Sequence, residues 1–137
     1  MNTLILYYSY SGKTKAAAKE LAEKESADIA EIKDIKRPGM LKVSTAGIIA
    51  AIRGKAWPIQ PIDVDFTKYE RLILLAPVWA NNPAPAFNSL LERLPSGKNV
   101  EVKMMSMSGK SKCKERLEAA ITSKGCVFMS FEDITSA

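Results

Sequence analysis

The alternation of apolar and polar positions predicts a chain that switches repeatedly between strands and helices. Short apolar runs without a polar face are typical of central parallel strands that are covered on both sides. Stretches with apolar residues at helical spacing separate these runs. The predicted strands are Thr3–Ser9, Ala27–Ile35, Arg71–Val78, Asn99–Met107 and Cys126–Phe131, and the predicted helices are Lys13–Lys24, Val43–Arg53, Ala86–Leu94 and Lys112–Lys124.

This order of elements predicts an α/β fold with one parallel sheet and right-handed crossovers. A length of 137 residues suits a single domain, residues 1–137. Ligands of doubly wound sheets lie at the carboxyl ends of the strands. The loops after the first, third and fourth predicted strands are therefore the candidate binding loops.

One connection is longer than a crossover requires. The segment Lys36–Lys68, here called the excursion, contains Pro38, Gly39, Pro58 and Pro61, which interrupt regular structure. Long connections in compact domains are commonly functional. We therefore expect the excursion to cover a site or an interface.

The first candidate loop, SYSGKT, contains the closing Gly-Lys-Thr of a nucleotide-binding P-loop. That motif requires a second glycine five residues before Gly12, where this chain has Tyr7, so a triphosphate site is not predicted. A hydroxyl-rich turn with a glycine at a helix N-terminus remains, and it suits one terminal phosphate. The alternative is a Ser or Thr that caps the helix without binding a ligand.

The second candidate loop contains WANNPAP. Trp79 follows a buried strand directly, at a loop position where a large aromatic side chain is rarely fully buried. Such a ring can stack on a flat ligand, and Asn81 and Asn82 tolerate positive φ and supply amide donors. The alternative is that Trp79 packs against the excursion.

Composition excludes several classes of function. The chain has no His, which excludes Ser-His and Cys-His catalysis within it and most zinc sites. The net charge is +5, but the charges are interspersed and no binding motif is present, so no nucleic-acid role is predicted. No apolar run reaches the roughly 18 residues of a membrane span, so we expect no membrane partner and a cytoplasmic location. The acidic cluster of a phospho-acceptor receiver domain is also missing.

The two cysteines, Cys113 and Cys126, provide no disulfide framework. Cys113 lies in the first turn of a predicted helix between Lys112 and Lys114, a setting that can lower the pKa of a thiol. The sequence has no C-x-x-C spacing, so an ordinary thiol is the favoured interpretation.

The pattern S-x-S-G-x-T after the first strand, followed by P-V-W-A-N-N-P after the third, resembles the flavodoxin family. The stretch GKAWPIQPIDVDFTKYERLILLAPVW strengthens this resemblance, which spans nearly the whole chain. It implies a flavodoxin-like doubly wound sheet of five parallel strands in the order 2-1-3-4-5. It also implies FMN as the cofactor of an electron carrier or small flavin oxidoreductase. The alternative is a flavodoxin-like module that has lost flavin and acts through partner binding.

The resemblance implies site residues, none of them catalytic and none for a metal. The phosphate of FMN would be held by Ser9, Tyr10, Ser11, Gly12, Lys13 and Thr14. The isoalloxazine ring would be bordered by Pro77, Val78, Trp79, Ala80, Asn81 and Asn82, and on its other side by Ser106, Met107, Ser108 and Gly109. Trp57 is the candidate to replace the tyrosine that commonly stacks on the outer flavin face, although simple packing is favoured for it.

Besides lacking this tyrosine, the sequence departs from the flavodoxin pattern at further points. Ala80 and Asn81 stand where many flavodoxins have Gly, and Ala80 would adopt positive φ only at a cost of roughly 1 kcal/mol or more. The net charge of +5 would steer the chain toward acidic partners, so the redox partners of classical flavodoxins are not carried over and its own are unknown. At the end of the chain only FEDITSA remains, which is too short for the final helix of the family.

An absent final helix would leave an apolar face of the sheet open. Large exposed apolar patches mark interfaces. We therefore expect either a homodimer, in which a partner subunit covers this face, or a truncated chain.

Overall fold

The sheet of the computed structural model, which describes residues 2–135, has the predicted strand order. Five long parallel strands lie in the order β2-β1-β3-β5-β6, and a sixth, two-residue strand, β4, pairs antiparallel with β3. The strands are β1 (Thr3–Tyr8), β2 (Asp28–Ile32), β3 (Arg71–Trp79), β4 (Asn82–Pro83), β5 (Asn99–Ser106) and β6 (Val127–Thr135). Without β4, this is the predicted order 2-1-3-4-5.

Helices cover both faces of the sheet, as in a doubly wound fold. They are α1 (Lys13–Glu25), α2 (Met40–Lys42), a π-helical turn (Val43–Gly47), α3 (Ile48–Ile52), a 3-10 turn (Phe66–Lys68), α4 (Pro85–Glu92) and α5 (Lys114–Ser123). Residues of α4 and α5 pack in the larger core on one face, and residues of α1 pack in a smaller core on the other.

The central strands are apolar throughout because they are buried on both sides. In β1, Leu4 and Leu6 belong to the larger core, whereas Ile5 and Tyr7 belong to the smaller one. Side chains of a strand alternate between faces, so a strand between two helix layers needs apolar residues at every position. This explains the unbroken apolar run at the start of the sequence.

The excursion is helical over a longer stretch than predicted. The expected helix began at Val43, but the helical segment begins at Met40 and passes through the π-helical turn before α3. Val43, Gly47 and Ala51, each four residues after the last, are buried. This spacing makes the segment a helical cover with one inward face.

Two buried polar residues of α4 hold the end of this cover. The Asn88 Nδ2 amide donates to the Lys55 carbonyl oxygen at 3.0 Å. The Ser89 hydroxyl accepts from the Trp57 backbone N–H at 2.9 Å and donates to the Trp57 carbonyl. Trp57 is thereby fixed through its own backbone.

The last strand is longer than predicted. The expectation was Cys126–Phe131, but β6 continues to Thr135 and pairs with β5 along its whole length. Polar residues such as Glu132 and Asp133 disguised this part of the strand, because only one of its sides adjoins another strand. The residues expected to remain after the last strand are therefore strand up to position 135, and no final helix follows within residues 2–135.

Where α1 does not cover it, the face expected to be an open apolar patch carries charged side chains beside the exposed Val127 and Met129 of β6. Arg71 on β3 forms ion pairs with Glu25 on α1 and Glu101 on β5. Next to them, the Lys103 ammonium lies 3.1 Å from the Glu132 carboxylate. Charged pairs thus occupy much of the face that was expected to be an open apolar patch, and the homodimer that this expectation suggested stays a prediction.

Cys113 lies one position before helix α5, not in its first turn as predicted. Its side chain is buried, and burial raises the pKa of the thiol despite a hydrogen bond from it to the Ser111 hydroxyl. The thiolate is the reactive form, so a raised pKa makes this cysteine a poor nucleophile. That agrees with the interpretation of an ordinary thiol.

Candidate functional site

The first candidate loop turns tightly from β1 into α1. Gly12 precedes the helix with φ of 99°, and nothing lies within 4 Å of the place where a Cβ would be. Its backbone N–H donates to the Ser9 hydroxyl at 3.1 Å. Ser9 therefore closes the turn instead of capping a helical N–H, and no side chain caps α1. The capping alternative for this loop is thus not what the structure shows.

The start of α1 presents unused hydrogen-bond donors. The Ala16 N–H makes the first helical bond, to the Gly12 carbonyl at 3.1 Å. The backbone N–H groups of Lys13, Thr14 and Lys15 have no partner within residues 2–135. No acidic side chain lies in the first turn. Free N–H groups at the positive end of a helix dipole, without a competing carboxylate, fit an anion such as a phosphate.

The side chains of this loop divide into two kinds. Thr14 is buried, whereas Ser11 and Lys13 are exposed. Exposed hydroxyl and ammonium groups at this position are free to turn toward a ligand. The predicted phosphate residues thus lie together, as one continuous turn must place them.

The second loop is a β-hairpin, which the sequence pattern did not predict. Trp79 pairs with Asn82, and Ala80 and Asn81 form the two-residue turn with φ of 51° and 67°. Positive φ at both turn residues matches the right-handed twist of the flanking strands. The Asn82 amide donates to the Ala80 carbonyl at 3.0 Å. Ala80 therefore holds the strained conformation that its departure from glycine implied.

Trp79 is the centre of an aromatic cluster, defined here as Tyr8, Tyr10, Trp57 and Trp79. Its ring meets the other three edge to face, with centroids 6.4 Å from Tyr8, 5.9 Å from Tyr10 and 6.3 Å from Trp57. Edge-to-face pairs at such distances are attractive. Trp79 therefore packs against Trp57 of the excursion, as the packing alternative predicted. Its side chain is nevertheless only partly buried, so part of it remains accessible.

A glycine allows the excursion to approach this cluster. A Cβ on Gly47 would lie 3.2 Å from both Trp57 Cη2 and Trp79 Cζ3. Gly47 belongs to the π-helical turn, a feature that often occurs at functional sites. The excursion thus packs against Trp79, a predicted site residue, while its covering a site or an interface stays a prediction.

The third loop, Ser106–Gly109, is organised by hydroxyl groups. The Lys110 N–H donates to the Ser106 hydroxyl at 3.1 Å, and Gly109 has φ of 69°. A Cβ on Gly109 would collide with the Thr135 hydroxyl at the end of β6. Met107 is 81% exposed. The loop thus has a fixed backbone and one large apolar side chain directed into solvent.

Direct contacts join the three loops at the carboxyl edge of the sheet. Tyr10 of the first loop contacts Trp79 of the second. The Lys112 N–H, just beyond the third loop, donates to the Asn81 carbonyl at 3.0 Å. Pro77 and Val78 lie near the carboxyl end of β3. The structure therefore brings the predicted site residues to one edge.

Contacts from the excursion to the first loop were not predicted. The Tyr10 hydroxyl donates to the Pro38 carbonyl at 2.7 Å. Arg37 donates from Nη2 to the Tyr10 carbonyl at 3.0 Å, and its guanidinium lies 4.0 Å from the Tyr10 ring centroid. The only signal in the sequence was the length of the excursion, because a contact across 27 residues leaves no local pattern.

A second contact that was not predicted lies beneath the first loop. The Tyr8 hydroxyl donates to the Asp34 carboxylate at 2.6 Å. Burial raises the pKa of Tyr8, and the bond to Asp34 raises it further. Burial also raises the pKa of Asp34, although the bond from Tyr8 and the nearby Arg37 and Lys42 oppose this. The pair anchors the start of the excursion to β1.

Neither a protein-family model nor a curated protein matches this sequence. Solved structures do match. A flavoprotein from Lactobacillus acidophilus NCFM, solved in complex with FMN, is 25% identical with a TM-score of 0.79, and the match covers 95% of this chain and 91% of that one. A flavodoxin from Streptococcus pneumonia TIGR4 is 16% identical with a TM-score of 0.58, covering 100% of this chain and 87% of that one.

The chain has a flavodoxin-like fold. The NMR structure of the apo-form of the Lactobacillus acidophilus flavoprotein agrees with this, with 23% identity, a TM-score of 0.70 and coverage of 96% and 92% of the two chains. The resemblance stated from SYSGKT and PVWANNP is thereby confirmed at the level of the fold. Within residues 2–135 of the flavodoxin-like chain, no helix has the length and apolarity to cross a membrane.

Proposed function

We propose that the flavodoxin-like chain binds FMN and acts as a redox protein, either an electron carrier or a small flavin oxidoreductase. The observation that carries this proposal is the meeting of three loops at one sheet edge, with a free helix N-terminus in the first and Trp79 in the second. The similarity to a flavoprotein solved with FMN supports it.

In this proposal each loop has its own task. The N–H groups at the start of α1, with the hydroxyls of Ser9, Ser11 and Thr14, bind the phosphate. The hairpin at Trp79 and the loop Ser106–Gly109 border the flat ring and exclude water from it. Bound FMN would supply the redox chemistry, and the protein would tune it through stacking and hydrogen bonds.

The proposal includes a cytoplasmic location. Cys113 and Cys126 are both buried and unpaired, which suits a reducing compartment. Because both thiols are buried, a thiol-specific reagent should label neither residue in the native protein.

Titration with FMN tests the proposal. Flavin fluorescence should fall on binding because an aromatic ring lies against the flavin. We expect Trp79→Ala to weaken FMN binding by about 1–3 kcal/mol, the range known for aromatic stacking on nucleobases. Trp57→Ala provides the comparison, since Trp57 packs in the same cluster and simple packing is the favoured interpretation of this second candidate for stacking.

The outcomes separate the flavin protein from a module that has lost its flavin. Quenching that saturates, with a larger loss for Trp79→Ala than for Trp57→Ala, supports the proposal. Absence of quenching at high micromolar FMN would favour the partner-binding alternative. Equal affinity for the wild type and Trp79→Ala would remove Trp79 from the site.

A further inference from the structure

The excess positive charge of the chain lies in one short segment. The whole sequence has 20 basic and 15 acidic residues, and residues 33–55 contain six of the basic and one of the acidic residues. The rest of the chain therefore has 14 of each and is neutral. The one acidic residue of the segment, Asp34, is partly buried and accepts the Tyr8 hydroxyl. The net charge of +5 is thus a local property, mainly of the excursion.

The same segment exposes apolar side chains. Five of the nine exposed large hydrophobic residues within residues 2–135 belong to it. Four of them occupy the helical cover, where Leu41 is 80% exposed and Met40, Ile49 and Ile52 are all more than half exposed. Because Val43, Gly47 and Ala51 form the buried side of this cover, the aliphatic residues form its outer side.

Cations adjoin these aliphatic residues. Lys36 and Arg53 flank the helical cover, are exposed, and form no ion pair within residues 2–135. The surface called here the 36–53 patch consists of Lys36, Met40, Leu41, Ile49, Ile52 and Arg53. It combines an aliphatic centre with a positive rim.

The patch lies beside the candidate flavin loops. Arg37, next to Lys36, binds the Tyr10 carbonyl of the phosphate loop. The Lys42 ammonium, next to Leu41, lies 5.1 Å from the centroid of the Trp57 ring, which in turn contacts Trp79. A macromolecule on the patch would therefore be close to a flavin held by these loops.

We propose that the 36–53 patch is the docking surface for an acidic redox partner protein, an inference that rests on the proposed flavin function. Protein interfaces commonly join an apolar centre to a charged rim, and opposite charge accelerates the encounter. Methionine is enriched in such interfaces and adapts to different partners.

The first experiment compares two small redox proteins of opposite charge. An isotope-labelled sample, prepared without added flavin, is titrated at low ionic strength with an acidic plant-type ferredoxin and, separately, with basic cytochrome c. We expect the ferredoxin to perturb the amide signals of residues 35–53 and to lose this effect at high salt, because surface charges are then screened. Cytochrome c should not perturb them.

Charge variants test the rim. Lys36→Glu combined with Arg53→Glu should weaken ferredoxin binding about tenfold, because two attractive charges become repulsive. The control, Lys19→Glu combined with Lys68→Glu, changes the net charge equally at exposed positions outside the patch. Leu41→Ser tests the aliphatic centre and should weaken binding about threefold at constant charge. Equal effects in both charge variants would overturn the proposal.

Two further experiments complete the test. The first distinguishes a membrane surface from a protein partner, and the second distinguishes docking from flavin binding. Anionic phosphatidylserine vesicles are tested by co-sedimentation, and vesicle binding through residues 40–52 without a ferredoxin effect would replace the partner protein by a membrane. FMN titration of the same variants should give wild-type affinity. Because the docking experiment needs no flavin, failure to bind FMN and failure to bind ferredoxin are independent results.

Discussion

At the residue scale, the candidate site is distinguished by residues whose backbone conformation or buried charge costs free energy. Ala80 has positive φ, and the carboxylate of Asp34 is removed from part of its water. Costs of this kind persist only where the surrounding structure imposes them, and they concentrate at functional sites. Ala80 lies in the second of the loops that we assign to FMN, and Asp34 is bonded to Tyr8, directly before the first.

Ala80→Gly is expected to stabilise the protein by about 1 kcal/mol, the strain that an L-residue meets in the left-handed region. Asn81→Gly is the matched control, because Asn tolerates the same region and should gain less. Urea unfolding measures both, as a shift of the midpoint at constant slope. Equal or absent gains would show that the turn at Ala80 is unstrained.

The contribution of Asp34 to the free energy of unfolding should change with pH in the direction opposite to that of most aspartates. A raised pKa means that the folded state binds the proton more tightly than the unfolded state, so the carboxyl favours folding at low pH. This contribution should disappear as the pH rises from about 4 toward the folded-state pKa. Relative to Asp34→Asn, the wild type should therefore lose stability over this range.

Urea unfolding of the wild type and Asp34→Asn between about pH 4 and pH 7 measures the difference. Tyr8→Phe is the control, since it removes a hydrogen bond that lowers the pKa of Asp34. Without this bond the pKa should rise further, and the loss of stability should extend to higher pH. A wild type that gains stability relative to Asp34→Asn with rising pH would contradict the assignment.

At the scale of elements, the helical cover and the hairpin depend on each other through Gly47. Ala is favoured over Gly in a helix by about 1 kcal/mol, but an added Cβ would press on two indole rings. Overpacking costs typically about 1–3 kcal/mol. We expect the packing cost to exceed the helical gain, because the two rings already support one another.

Gly47→Ala should therefore lower the stability by about 1 kcal/mol and shift the tryptophan emission. Gly39→Ala is the control, since nothing lies within 4 Å of its Cβ position and its φ of −74° is ordinary. An unchanged emission spectrum for Gly47→Ala would show that Trp57 and Trp79 do not pack against this turn.

The sequence predicted elements whose signal is local. The apolar run of β1 and the turn at Gly12 were both predicted, because burial on two sides and a left-handed glycine leave local marks. The hairpin at Ala80 was missed because Ala-Asn lacks the usual Asn-Gly signal. The anchoring of Tyr10 by Pro38 and Arg37 is tertiary, so no local pattern could indicate it.

At the scale of the whole molecule, the two ends of the sheet differ in character. The carboxyl edge gathers the three loops, the aromatic cluster and the positive excursion. Residues assigned by resemblance to FMN remain predictions, while their assembly at one edge is a property of the fold. A ligand that bridges all three loops would stabilise the entire domain, not only the site.

FMN should therefore raise the midpoint of thermal unfolding. At a free concentration about 100 times the Kd, the expected stabilisation is about 2.7 kcal/mol, or very roughly 5–15 °C for a domain of this size. Riboflavin is the matched ligand, because it lacks the phosphate that the start of α1 would bind. A riboflavin shift equal to that of FMN would contradict the phosphate assignment.

The irregular pairing of β6 affects how the protein behaves at high concentration. Opposite Val100 and Glu101, β6 contributes one residue too many, Met129, and farther along this edge it carries Glu132 and Asp133. A bulge twists an exposed strand, and charges repel a second strand that would add to it. This outer strand is therefore a poor template for edge-to-edge aggregation, although Val127 and Met129 leave two apolar side chains exposed there.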